Sequence, residues 1–266
     1  MKKILFLAVT LGLLSCSSDD GNSSATQTTD FTDALPLNNG NYWTYDVVGT
    51  ANTRDSLYIF GDETIGNQTY KKFKTLNNVA TGFYTSSLNN NNLRKDNGKL
   101  LLTGNLSVAQ GQTLPIGLDL SLVDFIIFKE YATSGEVLNT KTGSFEQTVN
   151  NIPLTIEYIL KAVGGENIGT FTSPNNEVYQ DVRSTKIILN IKVTTTQIIG
   201  GISFPFTVLA PQDVITSTQY LSKNIGVVYT KTLTTYNLDP LIASNIGIPA
   251  TNTQTQEEFL DTFLVN

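Results

Sequence analysis

Short runs that alternate apolar and polar residues, broken by turn signals, recur from Tyr42 to Tyr236. A period of two is that of a half-buried strand. In Tyr42–Val47 it sets Trp43, Tyr45 and Val47 on one face and Tyr42, Thr44 and Asp46 on the other. Asp96-Asn97-Gly98, Asn150-Asn151 and Gly200-Gly201 each separate two such runs, which is the chemistry of tight hairpins. The expected pairs include Ser144–Val149 with Ile152–Val163, Val178–Ile199 with Ile202–Leu209, and Thr216–Leu221 with Ile225–Tyr236. Pro153 marks a strand start or an edge. Leu57–Phe60, Gly61–Gly66 and Thr69–Leu76 read as strand, turn and strand, and Gly82–Ser86 as a further short strand. Thr on strand faces and Asn in turns fit the same picture. The fold class expected is all-β: a long, strongly curved antiparallel sheet, open-barrel or sandwich-like, with a short C-terminal helix.

Two segments carry helical signals. Asp239-Pro240 starts one turn, with Asp as N-cap and Pro at the first position, and Gly247 and Pro249 stop it. In the tail, Thr255 with Glu258 fits a capping box, and Phe259, Leu260, Phe263 and Leu264 form an apolar stripe. A terminal helix docked on the sheet is the first reading there, and a partner-binding helix the second. Leu114–Tyr131 is the most apolar stretch after the N-terminal segment. Its alternation of Ile116, Leu118, Leu120 and Leu122 favours a core strand, with a short buried helix as the other reading of its later piece Val123–Phe128; the wall of a hydrophobic ligand pocket is the functional alternative. Asp119, Asp124 and Lys129 argue against a membrane span. The four asparagines Asn89–Asn92, near Asp96, offer oxygen ligands of the kind calcium takes, but without EF-hand spacing, so they read as turn residues.

Composition then removes chemistries. The 266 residues include no histidine and a single cysteine, Cys16. Ser-His-Asp and Cys-His catalysis, His-liganded zinc and haem ligation through histidine are excluded, and no disulfide can close within the chain. Catalysis by two carboxylates needs none of these groups. Glu130, Glu136, Glu146, Glu157 and Glu166 are available for it, but no local motif pairs any two. No catalytic residue, metal-ligand set or cofactor is assigned. Trp43 reads as a core anchor of the first strand; with Tyr42 it has a second reading as a carbohydrate-stacking ligand site.

The N-terminus supplies an address. Lys2 and Lys3 precede the apolar run Ile4–Leu14, which has secretory-signal length. Leu13-Leu14-Ser15-Cys16 resembles the lipobox of bacterial lipoprotein signals, with Leu14 bulkier than is usual. The resemblance implies cleavage before Cys16 and acylation of Cys16, a membrane anchor by several acyl chains. Asp19 and Asp20 resemble the acidic export signal of surface lipoproteins of the Bacteroidota. Ser17–Asp30 has no large apolar residue and reads as a tether. The expected organisation is a signal at 1–15, a tether at 16–33 and one β-rich domain at 34–266. Loss of the signal removes two lysines and no acids, leaving 15 basic and 23 acidic residues. Such a chain repels phosphate backbones, so no nucleic-acid partner is expected.

Pro36–Tyr45, Gly169–Val182 and Tyr220–Val228 resemble the opening, middle and closing strands of uncharacterised Bacteroidota outer-membrane lipoproteins. That family is built on curved antiparallel sheets and carries no assigned catalytic residues. Asp55-Ser56-Leu57 resembles the O-glycosylation acceptor of the same phylum, at Ser56. The resemblance implies an outer-membrane lipoprotein exposed at the cell surface. Its expected role is non-enzymatic, binding a glycan, a lipid or an envelope protein, or serving in envelope assembly. A carboxylate-dependent hydrolase such as a glycosidase is the alternative.

Overall fold

The computed structural model describes residues 33–107 and 117–266. Twelve strands form one antiparallel sheet: β1 (Tyr42–Val48), β2 (Thr53–Ile65), β3 (Gln68–Thr75), β4 (Asn92–Asp96), β5 (Lys99–Ser107), β6 (Asp119–Lys129), β7 (Val137–Val149), β8 (Ile152–Thr172), β9 (Val178–Ile199), β10 (Ile202–Ser222), β11 (Gly226–Asn237) and β12 (Thr251–Leu264). Two short helices interrupt the series, α1 (Phe83–Leu88) between β3 and β4 and α2 (Pro240–Ile246) between β11 and β12. The spatial order is β6-β5-β4-β3-β2-β1-β12-β11-β10-β9-β8-β7. The chain is thus an up-and-down meander whose last strand returns to pair with its first, nearly closing a barrel. β6 and β7 are the two edges, and side chains bridge the seam there. Thr185 Oγ1 on β9 donates to the Ile127 carbonyl on β6 at 2.8 Å. Phe125 and Ile127 of β6 line the same small void as Leu160 of β8 and Ile187 of β9.

Local chemistry explains the hairpins. Asn97 and Gly98, Asn150 and Asn151, and Gly200 and Gly201 all have positive φ at both central positions, the pattern of the turn that matches strand twist. Pro153 is the second residue of β8, at a strand start as expected. Asn89–Asn92 also act through turn chemistry. Asn89 accepts from the Thr75 N–H at 3.0 Å, and Asn91 donates to the carbonyls of Ser87 and Asn105, each at 2.8 Å.

Three expectations are corrected. Residues 61–65 continue β2 rather than turning, because a bulge between Ile59 and Gly61 absorbs the irregularity and the reversal falls at Gly66. Gly82–Ser86 is not a strand; α1 begins at Phe83, and all six of its residues are buried. The tail from 255 to 264 is not a helix but β12, hydrogen-bonded to both β1 and β11. Leu260 points inward, while Phe259 packs outside against Tyr229 at a ring distance of 5.2 Å. The stripe therefore divides between two sheet faces, and closing the barrel outweighs local helical preference. A short helix near the C-terminus does form, as α2. Asp239 caps it by accepting from Leu241 and Ile242, and Gly247 ends it in the left-handed conformation.

The core occupies the barrel interior. Trp43, Tyr45, Leu57, Phe73, Leu93, Phe128, Ile191 and Ile215 are among its buried walls, and α1 fills the space between them. Trp43 Nε1 donates to the Ile225 carbonyl at 2.6 Å, and its ring stacks on Phe73 at 6.2 Å. The N-terminal part of the described chain crosses one end of the barrel. There Ala34 and Leu35 are buried, the Asn224 N–H donates to the Asp33 carbonyl at 2.7 Å, and Lys95 pairs with Asp33.

Candidate functional site

The barrel's most unusual chemistry lies where α1 meets its wall. Asp55 on β2 and Gln256 and Glu258 on β12 stand at inward positions, in phase with Leu57, Ile59 and Leu260. Between them they accept from five consecutive backbone N–H groups. Asp55 takes Thr81 and Gly82, both at 2.8 Å. Gln256 takes Phe83 at 2.8 Å, and Glu258 takes Tyr84 at 2.7 Å and Thr85 at 3.2 Å. Thr85 Oγ1 also donates to Asp55. A helix start carries orphan donors and a partial positive charge, so a wall of carboxylates and an amide satisfies both. Gly82 permits the approach, since a Cβ there would collide with the Glu258 carboxylate.

Burial pushes the Glu258 carboxyl up to about 7; the N–H donors of Tyr84 and Thr85 pull it down, and the charge of Asp55 raises it again. A buried carboxyl so perturbed, with a second acid beside it, is the kind of group that can hold or move a proton. No substrate can reach them. The void beside α1, lined by Phe83, Tyr84, Leu106, Phe125 and Ile127 among others, measures about 20 Å³, enough for one water. The pair holds α1 in place.

The openings lie outside. At the end crossed by Ala34, a recess of about 150 Å³ is lined by Glu130, Asn167, Asp181, Arg183 and Lys223. Glu130 is buried there, with Arg183 Nε at 3.5 Å from its carboxylate. On the wall, a shallow groove of about 470 Å³ runs past Gly143, Tyr158 and the pair Lys192–Glu157, whose separation is 3.0 Å. A third recess, about 240 Å³, gathers Asp46, Glu177 and Asp261, with Arg54 bound to both aspartates. Above β10–β12, Phe171 stacks on Tyr220 at 4.5 Å and Tyr220 lies 5.4 Å from Tyr229. These rings pin the β8–β9 hairpin to the wall.

The residues singled out from sequence fall as follows. Cys16, Asp19 and Asp20 lie outside the described residues. Trp43 is fully buried and Tyr42 is 40% exposed on the opposite face of β1, so the two do not form a shared stacking platform. Ser56 sits in mid-β2, half-buried, opposite Thr44 of β1, while its neighbour Asp55 is turned inward to α1. Leu118, Leu120, Leu122, Phe125 and Phe128 are core, and 114–116 lie outside the described residues. Among the acids named for a hydrolase, Glu136 pairs with Lys129 and Glu157 with Lys192. Asp55 and Glu258 enter the sequence reading only in other roles, as part of an O-glycosylation motif and of a helix cap in the tail, and not as a pair. Their signal was present: each is a carboxylate at the apolar phase of an alternating strand. No family model matches the chain, and neither a curated protein nor a solved structure matches it.

Proposed function

We propose that this chain is a lipoprotein of the bacterial outer membrane, anchored through acylated Cys16 and exposed at the cell surface by the export signal at Asp19 and Asp20. In this reading it is a non-enzymatic module for binding or envelope assembly. One observation carries the non-enzymatic part: the barrel is filled by its own helix, leaving a void of about 20 Å³, so recognition must use the outer surface. The entry of the chain across one end of the barrel fits the anchored part, because a tether arriving there leaves the walls clear. The hydrolase alternative gains nothing from the acid pair the fold brings together, since Asp55 and Glu258 are enclosed.

Protease shaving of intact cells tests the reading, with lipid labelling alongside. Wild type should incorporate labelled palmitate and be shaved. Asp19→Ala/Asp20→Ala should stay membrane-bound but protected, and Cys16→Ala should lose both label and membrane. Protection of the labelled wild type would overturn surface exposure, and absence of label would overturn the anchor.

A further inference from the structure

Charge is segregated along the barrel axis. In an up-and-down meander, alternate connections lie at the same end. The connections β1–β2, β3–β4, β5–β6, β7–β8, β9–β10 and β11–β12 therefore share one pole. Residues 47–53, 75–93, 100–107, 147–156, 193–212 and 240–256, which lie in these connections and the strand ends leading to them, contain no Asp, Glu, Lys or Arg. At the chain's 15% charged fraction, stretches of that total length would carry about twelve. Charges flank these stretches, and Asp239, which borders the last of them, is occupied in capping α2. At the other pole each of the five connections, or the strand end leading to it, carries charge, from Asp62-Glu63 in β2 before the β2–β3 turn to Lys223 between β10 and β11.

Apolar side chains project from the uncharged pole. Leu241 on α2 is 79% exposed, Ile202 61%, Leu76 59% and Val79 53%, and Phe204 and Phe206 follow on β10. Of these elements, α2 and β10 adjoin: Asp239 N–H donates to Val208 of β10 at 2.9 Å, and Gly247 after α2 lies beside Asn150 of the β7–β8 turn; Leu76 and Val79 stand on the β3–β4 connection, five strands round the sheet. We propose that this pole docks on the apolar boundary of a lipid bilayer. Excluding both signs of charge complements an uncharged phase, where an ionised side chain is expensive, and removes any attraction for an ionic partner. The exposed groups are mainly aliphatic, which suits acyl chains and not the flat rings on which sugars stack. Thr, Asn, Gln and Ser, which fill the rest of the pole, can hydrogen-bond at headgroup level. The proposal is independent of acylation at Cys16 and is tested without it.

The experiment is flotation of the full chain carrying Cys16→Ser with neutral phosphatidylcholine vesicles, at low and high salt. The protein should float at both salt levels, since no charge takes part. In Leu76→Asp/Ile202→Asp/Leu241→Asp, and in the single variant Leu241→Asp, the bound fraction should fall, at least about tenfold for the triple change. Both should keep the parent's circular dichroism and melting midpoint, because the altered positions are exposed. No flotation of the parent, flotation abolished by salt, or flotation unchanged in the folded triple variant would each overturn the proposal. So would a parent dimer, seen by size exclusion without lipid, that the triple variant converts to monomer; the pole would then pair with a second copy.

Discussion

Glu258 has the clearest residue-scale consequence. A carboxyl whose folded pKa lies above the usual 4.5 binds its proton more tightly in the native state. Its contribution is therefore complete below 4.5 and is lost as pH rises through about 7. The urea midpoint should fall across that window by up to about 3 kcal/mol equivalent. Glu258→Gln, which keeps an acceptor and removes the titration, should flatten the profile there. Asp124 works in the opposite direction. Arg94 Nε and a terminal guanidinium nitrogen donate to it, each at 2.9 Å, and hold its carboxyl below the usual range, so stability is lost as pH falls through that depressed value. Trp43, the sole tryptophan, should emit at short wavelength and resist quenching, and Trp43→Ala should cost about 3–5 kcal/mol. Ready quenching of Trp43 by acrylamide would restore a ligand-facing role.

At the scale of elements, α1 and β12 depend on each other. β12 supplies Gln256 and Glu258 to α1, and α1 fills the space that β12 closes. Gly82→Ala should destabilise by about 1–3 kcal/mol through overpacking, and more if the Glu258 carboxylate loses its donors. A chain ending at Ala250 should fail to melt cooperatively, as followed by near-ultraviolet circular dichroism, because β1 and β11 would both lose their partner. A cooperative transition in that truncated chain would contradict the central place of β12. The contrast with α2 is instructive. Its start signal, Asp239-Pro240, is local and was legible in the sequence, whereas α1 has no side-chain cap of its own and relies on residues 26 to 175 positions away.

At the scale of the whole molecule, α1 fills the barrel interior among the described residues, and the larger recesses lie outside. The two poles then differ in kind, one crossed by the entering chain and charged, the other uncharged and apolar. Cell shaving and vesicle flotation address these two ends separately, so either can fail without the other. The three hairpin turns and the all-β class were readable directly, because positive-φ dipeptides and two-residue alternation act over a few neighbouring positions. Trp43 as a core anchor was readable from its strand phase. The tail was misread because Phe259-Leu260 and Phe263-Leu264 satisfy a helical stripe and a two-faced strand equally well, and only the vacancy between β1 and β11 decides between them.

By itself, then, the sequence determined the strand alternation, the turns, the cap of α2, the exclusion of histidine chemistry and of an internal disulfide, and the position of every charge. Tertiary structure alone decided three things. It brought first and last strands together across 220 residues, turned Asp55 and Glu258 into the cap of a distant helix, and stacked six separate uncharged stretches at one pole. The reason is range. Turn and strand preferences are energies of adjacent residues, while barrel closure, helix docking and polarity along an axis are properties of which distant segments meet.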